Sequence, residues 1–447
     1  MKIISTSDYI LDTSRDYAIY VCDQRAIPSV TDGFKSGQRK MLWLMRNKAD
    51  KIKTVSLAGE SISSGLYLHG DASASQTISL MAAPYCNNIP FFHGIGTFGT
   101  RVNPTAIGAP RYTYVKRNKA AENIVYQDLD VVPLKENYDG STMEPATFLP
   151  IVPTVLLNGV SGIAVGWSTD ILPHALKDLV DAVTAVLEGK KIKPIKPQYT
   201  YLDVDVRHIE NNAWEFRGKI EKADNSTVKV KSLPPDLSLE KFRERLDQLE
   251  DEGKINDYVD NSAEEIDIKI KFKRGQVAEW TEDAIIDFLK LKTRKTERIV
   301  VLGFDGNSIK QYDKPEDLIT DWVDWRFKFY IKRYEKLLED TAYDLLYWLG
   351  LKACFDKKLL NKLLKAKNKA EVTGHISKIT DNLDDKQIDK IASLPTYRWN
   401  EEYYQEVLTK ISELDGKIQE YVGLLDEPDK IKLVFKDEVQ KLKTLKV

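Results

Sequence analysis

The stretch YLHGDASASQTISLMAAPYCNNIPFFHGIGTFGTRVNPTAIGAPRYTYVKR, residues 67–117, decides the fold of the N-terminal part of this chain. After the turn at its start, ASASQTISLMAAPY places Ile78, Met81 and Ala82 on one face of a helix. Glycine-rich and β-like sequence follows, first HGIGTFGTRVN and then RYTYVKR. A helix, a turn, a second helix and a β-like segment together predict a winged helix-turn-helix.

The sequence around this stretch carries helical patterns and positive charge. SDYILDTSRDYAIYV (7–21) and QRKMLWLMRNKA (38–49) each predict a helix. Although the net charge is −2, residues 25–53 contain eight basic and two acidic residues, and residues 101–120 contain five basic and no acidic ones. Two such segments on one face would attract a phosphate backbone, although either could equally be a solvated surface.

The rest of the chain changes character twice. Residues from about 121 to 312 contain short β-branched runs bounded by Gly, Pro, Asn or Asp, among them TVLLNG, GIAVGWS, AWEFRGKIEKA and EIDIKIKF. From Pro315 the sequence is helical, and two long helices enclose a short helical region. The predicted fold is multidomain α+β, with a winged helix-turn-helix domain (1–125), an α/β tower domain (126–312), and a long antiparallel coiled coil with a helical dimerisation knob (313–447).

Composition excludes several classes of protein. No run of about 18 apolar residues predicts a membrane span, and the N-terminus has no apolar signal core, so we expect a cytoplasmic protein. Cys22, Cys86 and Cys354 are scattered without metal-ligand spacing and are expected to be reduced thiols.

Six blocks in order resemble the breakage–rejoining part of type IIA DNA topoisomerases. They are RAIPSVTDGFKSGQRKML, YLHGDASASQTI, FHGIGTFGTR, APRYTYV, FLPIVPTVLLNGVSGIAVGWSTDILPH, and FDGNSIKQYDKPEDLI with WRFKFYIKRYEKLL. In detail, DGFKSGQRK and TFGTR are closer to the eukaryotic and T-even-phage branches than to bacterial gyrase. Tyr67 and Gln38 stand where bacterial members of the family carry histidine.

The resemblance implies a catalytic set. Tyr112 is the expected nucleophile, whose oxygen joins a DNA phosphorus and keeps the bond energy for resealing. Adjacent Arg111, together with His69 and Arg25, is expected to stabilise the charge at the phosphate. Tyr114 stays a competitor, because alternate residues of a strand share one face.

The resemblance also implies DNA contacts. An apolar wedge that unstacks a base step is expected at Ile151-Val152-Pro153, although these residues could instead belong to a buried strand. Arg39 and Lys40 could likewise form a solvated face. The expected phosphate or backbone contacts are Lys35, Arg39, Lys40, Ser73 and Arg101.

The sequence lacks a nucleotide-binding motif and a metal-binding motif, and this bears on the expected cofactors and partners. There is no P-loop, and Asp203-Val204-Asp205 lacks the glycines that surround the family's metal motif, so no metal ligand is assigned. We expect Mg²⁺ and ATP on a partner ATPase and metal-binding subunit, double-stranded DNA as substrate, and a homodimer through the C-terminal gate. Relaxation and decatenation are expected rather than gyrase-like supercoiling.

Two other functions are compatible with parts of the sequence. A non-enzymatic winged-helix DNA-binding protein with a coiled-coil dimeriser would leave the Arg-Tyr block unexplained. A different tyrosine enzyme, such as a site-specific recombinase or a meiotic-type cleavage protein, would need a late tyrosine or a metal fold in the same chain. Covalent capture of DNA distinguishes the first of these from a topoisomerase.

Overall fold

The computed structural model describes residues 5–380 and 382–445. The chain divides into two compact units, one formed by residues up to Arg326 together with those from Lys436 onward, the other by Phe327–Phe435. The predicted domain limits at 125 and 312 both fall inside the first unit, and the three-domain division stays a prediction.

The first unit begins with a winged helix-turn-helix. A π-helical turn, Cys22–Ala26, follows the first helix, and the three-stranded antiparallel sheet has the order β1-β3-β2. The helices are α1 (Thr6–Val21), α2 (Ser36–Met45), α3 (Thr54–Ser63), α4 (Asp71–Ala82) and α5 (Lys119–Val125), and the strands are β1 (Ile52–Lys53), β2 (Phe92–Ile95) and β3 (Tyr114–Arg117).

The helices of this domain pack through small and apolar side chains. Ala74 and Ile78 of α4 are fully buried, as are Met41 of α2 and Leu57 of α3. The predicted helices at α1, α2 and α4 are present, whereas α3 was not predicted. Its sequence TVSLAGESIS contains serines, a threonine and a glycine, which weaken a local helical signal, so burial of its apolar face stabilises it.

Two hairpins and two helices follow. They are β4 (Leu134–Glu136) with β5 (Met143–Pro145), α6 (Thr154–Asn158), β6 (Val160–Ile163) with β7 (Ser168–Ile171), and α7 (Leu176–Leu187). TVLLNG, predicted as a strand, forms α6 instead. Its Val155, Leu156 and Leu157 are all fully buried, and periodicity cannot separate a short buried helix from a buried strand.

Residues 205–296 lie within the predicted tower domain and are called the tower from here on. They contain two antiparallel sheets, with strand orders β14-β9-β8 and β10-β11-β13-β12. Phe242, Leu246 and Leu249 of its first helix pack on Ile268 and Ile270 of β13 in one core. Its elements are β8 (Asp205–Glu210), β9 (Ala213–Arg217), β10 (Ile220–Asp224), β11 (Thr227–Val230), α8 (Leu239–Asp251), β12 (Asp257–Asp260), β13 (Ile268–Lys271), α9 (Glu282–Leu289) and β14 (Lys292–Thr296).

A final hairpin leads into the helical part of the chain. It consists of β15 (Ile299–Leu302) and β16 (Ile309–Tyr312), and the helices after it are α10 (Pro315–Asp356), α11 (Leu360–Leu363), α12 (Lys369–Ser377), α13 (Asp385–Ala392), α14 (Glu401–Asp426) and α15 (Pro428–Lys441). At a rise of about 1.5 Å per residue, α10 is about 63 Å long.

The second unit is an antiparallel helix pair with a small helical knob. Tyr334 of α10 contacts Tyr421 of α14, with ring centroids 6.0 Å apart, and Asp356 accepts a hydrogen bond from the hydroxyl of Tyr404. This pairing of early with late residues shows that α10 and α14 run in opposite directions. Helix α10 continues through Gly350, where Leu383 occupies the space that a Cβ would need.

Candidate active site

Tyr112 lies in a turn that precedes β3. Its side chain is 69% exposed, and its backbone N–H donates to the carbonyl of Ala109. The guanidinium Cζ of Arg111 lies 4.9 Å from the centroid of the Tyr112 ring. The nucleophile predicted from sequence is therefore accessible and has a cation beside it.

Hydrogen bonds connect the turn that carries Tyr112 to the start of α3. The backbone N–H of Val55 donates to the carbonyl of Pro110 over 3.1 Å, and that of Thr54 donates to the carbonyl of Thr113 over 3.0 Å. The hydroxyls of Thr54 and Thr113, both buried, are 2.8 Å apart. These contacts place Tyr112 at the helix-turn-helix itself.

Tyr114, the competing nucleophile, has different surroundings. It is the first residue of β3, is partly buried, and pairs with Lys53 and Ile95 in the sheet. The ammonium group of Lys51 lies 5.1 Å from its ring centroid. Because Tyr112 precedes the strand, the two tyrosines do not share a strand face.

A cleft of about 690 Å³ brings together four of the predicted site residues. Arg25, Lys35, His69 and Ser73 all line it, together with Gly159, Val160 and Ser161 around the start of β6. Tyr112 and Arg111 are not among the residues that line the cleft. The structure thus brings Arg25, Lys35, His69 and Ser73 together in the cleft, whereas Tyr112 and Arg111 lie outside its lining.

His69 is held by an aromatic network. Its Nε2 and the hydroxyl of Tyr20 form a 2.9 Å hydrogen bond, and the Tyr20 ring also lies 5.3 Å from the Cζ of Arg25. Burial lowers the pKa of His69, and the positive charges of Arg25 and Lys40 lower it further. The imidazole is therefore biased toward its neutral form, which both donates and accepts hydrogen bonds.

Lys35 and Ser73 also have defined partners in the cleft. The ammonium of Lys35 donates to the carbonyl of Ser161 over 2.8 Å, and burial lowers its pKa. The hydroxyls of Ser73 and Tyr67 are 2.8 Å apart. Tyr67 thus orients a serine at the start of α4.

The structure corrects the prediction for Arg39 and Lys40. Arg39 is 8% exposed and binds Asp32 with two hydrogen bonds of 2.6 and 2.8 Å. Lys40 is 6% exposed and forms a 3.0 Å ion pair with Glu144. A charged group that is buried and paired is not free to bind phosphate, so these two residues instead hold α2 against neighbouring segments.

Arg101, which the sequence predicted as a DNA contact, makes hydrogen bonds within the protein. Its Nη2 donates to the carbonyls of Pro234 and Leu237, both over 2.9 Å. The guanidinium is directed toward protein carbonyls of the tower, and burial lowers its pKa. A DNA phosphate would have to displace these contacts.

The predicted wedge is buried, and another residue fits the role better. Ile151 is 3% exposed and Val152 is fully buried, so neither can enter a base step. Ile163, at the end of β6, is 87% exposed, and Val165 and Trp167 beside it are also exposed. Sequence reasoning missed Ile163, although VSGIAVG places an isoleucine between the glycines of a hairpin, where a strand turns outward.

Residues 5–380 and 382–445 contain neither a candidate metal site nor a helix that could span a membrane. Asp205 of the Asp-x-Asp pair forms an ion pair with Lys219, and this part of the chain contains no group of three His, Cys, Asp or Glu side chains that could hold a metal ion. None of its helices is both long enough and apolar enough to cross a membrane. Cys22, Cys86 and Cys354 are free thiols.

Comparison with known proteins gives a consistent result. Residues 25–440 match the family model that describes the A-subunit of DNA gyrase/topoisomerase IV. The chain is 33% identical over 393 residues to the DNA topoisomerase medium subunit of Enterobacteria phage T4, covering 85% of this chain and 86% of that protein. It is 29% identical over 329 residues to DNA topoisomerase 2-alpha of Gallus gallus, covering 71% of this chain and 22% of that enzyme.

The structural comparison agrees. The DNA-binding, cleavage and re-ligation domain of Plasmodium falciparum topoisomerase II matches with a TM-score of 0.87 and 25% identity, over 98% of this chain and 64% of that one. The resemblance predicted from sequence is confirmed, and a non-enzymatic DNA-binding protein is not favoured. The chain belongs to the DNA gyrase/topoisomerase IV A-subunit family of type II DNA topoisomerases.

Proposed function

We propose that this chain cleaves and rejoins both strands of duplex DNA as one subunit of an ATP-dependent type IIA topoisomerase. One observation carries the proposal: Tyr112 is exposed, lies beside Arg111, and is fastened to a helix-turn-helix. Its Oη attacks a backbone phosphorus, the 3′ oxygen leaves with a proton, and a 5′-phosphotyrosine remains. The reverse attack by the 3′ hydroxyl reseals the strand and frees the tyrosine, so cleavage itself needs no external energy.

The cationic residues act on the charge that develops at the phosphate. Arg111 lies beside the nucleophile, and Arg25 and Lys35 present two more cations in the cleft. His69, biased toward its neutral form, is suited to hydrogen-bond a phosphate oxygen or the leaving group. Ser73 at the start of α4 adds a hydroxyl for the backbone.

We place the wedge at Ile163 rather than at Val152. The β6–β7 hairpin that carries Ile163 also lines the cleft through Val160 and Ser161. At Gly162 an added Cβ would meet the carbonyl of Ala26, next to Arg25, so the hairpin lies tightly against the cleft wall. An exposed isoleucine there can enter a base step and bend the duplex, at a cost of about a few kcal/mol that additional contacts offset.

Strand passage requires components beyond this chain's cleavage residues. We infer that a partner subunit binds ATP and Mg²⁺, and that relaxation and decatenation result from the assembly. The name of the T4 relative, a medium subunit, supports the existence of further subunits. We also infer a homodimer through the C-terminal gate, and location in the cytoplasm, that of the host cell if the chain is phage-encoded.

The test is covalent capture of DNA by the complex with its partner subunit. Tyr112→Phe should abolish denaturant-resistant attachment and relaxation while leaving DNA affinity unchanged, because only the nucleophilic oxygen is lost. Tyr114→Phe is the matched control and should retain attachment. Attachment that persists in Tyr112→Phe and maps to a Tyr114 peptide would overturn the assignment, and absence of attachment in the wild-type complex would refute cleavage altogether.

A further inference from the structure

The segment between β2 and β3, residues 96–113, carries Tyr112 and is called here the tyrosine loop. Besides its attachment to α3 near Tyr112, it has a second attachment at Arg101 and Val102. There Arg101 donates to the carbonyls of Pro234 and Leu237 in the tower, both over 2.9 Å. Val102 packs against the core of the tower. The loop is therefore held between the helix-turn-helix and the tower.

The tower side of this contact is a turn with an unusual backbone. Asp236 has a φ of 64°, a left-handed conformation that costs a non-glycine residue about 1 kcal/mol or more. The turn brings the carbonyls of Pro234 and Leu237 within reach of a single guanidinium nitrogen. The Asp236 carboxylate in turn forms a 3.0 Å ion pair with Lys295 of β14. We call residues 234–237 the latch turn.

Hydrogen bonds link the two arms of the tyrosine loop. Gly108 N–H donates to the carbonyl of Thr97 over 2.9 Å, and Gly99 N–H donates to that of Ala106 over 3.1 Å. Phe98 and Ile107 form an isolated antiparallel bridge between them. These cross-links form a short hairpin with Arg101 near its tip and Tyr112 just beyond its base, so both residues belong to one hydrogen-bonded segment.

We propose that Arg101 is a positioning residue for DNA cleavage, which latches the tyrosine loop to the latch turn and thereby sets the position of Tyr112 relative to the tower. This inference rests on the proposed cleavage function and names a residue that acts through Tyr112 rather than on DNA. A misplacement of about 1 Å at a reacting group can lower a rate by about a hundredfold, so a loose latch is costly. Both contacts to the latch turn come from Nη2, and the Nε of Arg101 has no hydrogen-bond acceptor in the part of the chain described.

The first experiment compares Arg101→Ala and Arg101→Lys in the complex with the partner subunit. Cleavage is measured as covalent attachment per bound duplex, and DNA affinity is measured separately across a range of salt. We expect Arg101→Ala to cleave about tenfold to a hundredfold more slowly with unchanged affinity. Arg101→Lys keeps the charge but ends short of the position of Nη2, so it should recover only part of the loss. Arg243→Ala, an exposed tower arginine paired with Asp260, is the matched control.

A second pair of variants disturbs the latch from the other side. Asp236→Val places a β-branched residue in a left-handed conformation and should shift both carbonyls. Lys295→Met removes the ion pairs of Lys295 with Asp236 and Asp170 and leaves the residues of the latch turn unchanged. Asp236→Val should reproduce the cleavage defect, and its combination with Arg101→Ala should add little, since both break one contact. If Arg101→Ala fails to fold, the comparison of Asp236→Val with Lys295→Met tests the same contact.

Hydrogen exchange of the chain alone separates the latch from the cleavage function. In Arg101→Ala the amides of Gly99, Ala106 and Gly108 should exchange faster while those of β13 do not change. Unchanged exchange in the loop would overturn the latch even if cleavage fails in the wild type. Weaker DNA binding with a smaller salt dependence, and normal cleavage of bound DNA, would show that Arg101 contacts phosphate instead.

Discussion

At the scale of single residues, Arg39 illustrates how burial decides the role of a charge. Asp32, its partner, is fully buried and also accepts a hydrogen bond from the backbone of Phe148. Removing one member of a buried ion pair leaves an uncompensated charge in a medium of low polarity. The pair therefore fixes the start of α2 against the segment that follows β5.

Arg39→Ala should lower the free energy of unfolding by about 3–5 kcal/mol, because it leaves the Asp32 carboxylate buried without its cation. The measurement is urea denaturation followed by circular dichroism. Arg15→Ala, which removes an exposed arginine of α1, is the control and should change stability little. A stable Arg39→Ala variant with weakened DNA binding would restore the phosphate-binding role.

Glu297 makes stability depend on pH. It is 4% exposed, and its carboxyl accepts a hydrogen bond from the backbone of Leu172. Burial raises its pKa to about 8, with Glu316 and Asp170 contributing in the same direction. In the unfolded chain the carboxyl ionises near its ordinary value of 4.5. Between these two values the folded state holds the proton more tightly, so stability falls as the pH rises.

Glu297→Gln should therefore gain stability over the wild type as the pH rises from 5 to 8, by on the order of 3 kcal/mol, and little below pH 4.5. Thermal or urea unfolding at each pH measures the difference. Glu244→Gln, on the exposed face of α8, is the control. A difference between Glu297→Gln and wild type that is independent of pH would contradict a protonated, buried carboxyl.

At the scale of elements, the β6–β7 hairpin combines a tightly packed base with an exposed apolar tip. Gly159 and Gly162 lie where a Cβ would meet backbone atoms, at 2.5 Å from the carbonyl oxygen of Ile171 and 2.0 Å from that of Ala26. Ile163, Val165 and Trp167 remain exposed beyond this base. An exposed apolar cluster next to a basic cleft is suited to insertion between stacked bases.

Ile163→Ala should reduce the bend of bound DNA and lower cleavage, while leaving the stability of the chain nearly unchanged since the side chain is exposed. Energy transfer between dyes at the two ends of a short duplex reports the bend. Ile209→Ala, an exposed isoleucine on β8 of the tower, is the control. A normal bend with Ile163→Ala would remove Ile163 from the wedge role.

The coiled-coil elements show a similar division between packed and free side chains. In the knob at the end of the arm, Ile391 is fully buried in the core of the second unit, and Trp399 stacks on Phe355 with centroids 4.8 Å apart. Tyr397, between them in sequence, is 72% exposed. Pro395 is also exposed, so Pro395 and Tyr397 are both free to meet a second copy, and Tyr397 has the larger side chain.

At the scale of the whole molecule, the proposed gate requires two copies of this chain. Tyr397→Glu should convert a dimer to a monomer in the absence of the partner subunit, because it buries a charge at a twofold contact. Light scattering or sedimentation measures the mass. Val422→Glu, an exposed position on α14, is the control. A Tyr397→Glu variant that stays dimeric would place the gate elsewhere.

Much of the fold was predictable because its signals are local. Long runs of helical sequence identified α10 and α14, and a repeated apolar face identified α4. Most strands of the tower were predicted from short β-branched runs. The helix α3 and the strands β12 and β14 were missed, and β14 was missed because its KTRKT sequence is charged and follows a helix directly. Pairing with β9 decides that KTRKT is a strand.

By itself the sequence determined the family, the helical arm, and the identity of Tyr112, His69, Arg25 and Lys35 as candidates, because blocks of adjacent residues carry these. Only the tertiary structure decided which charged and apolar side chains are accessible to DNA. Arg39 is paired with a carboxylate seven residues away, and Arg101 binds a carbonyl 133 residues away. Val152 is buried while Ile163 is exposed. Burial depends on segments distant in the chain, and pairing depends on how the backbone folds between the partners, so no local pattern records either.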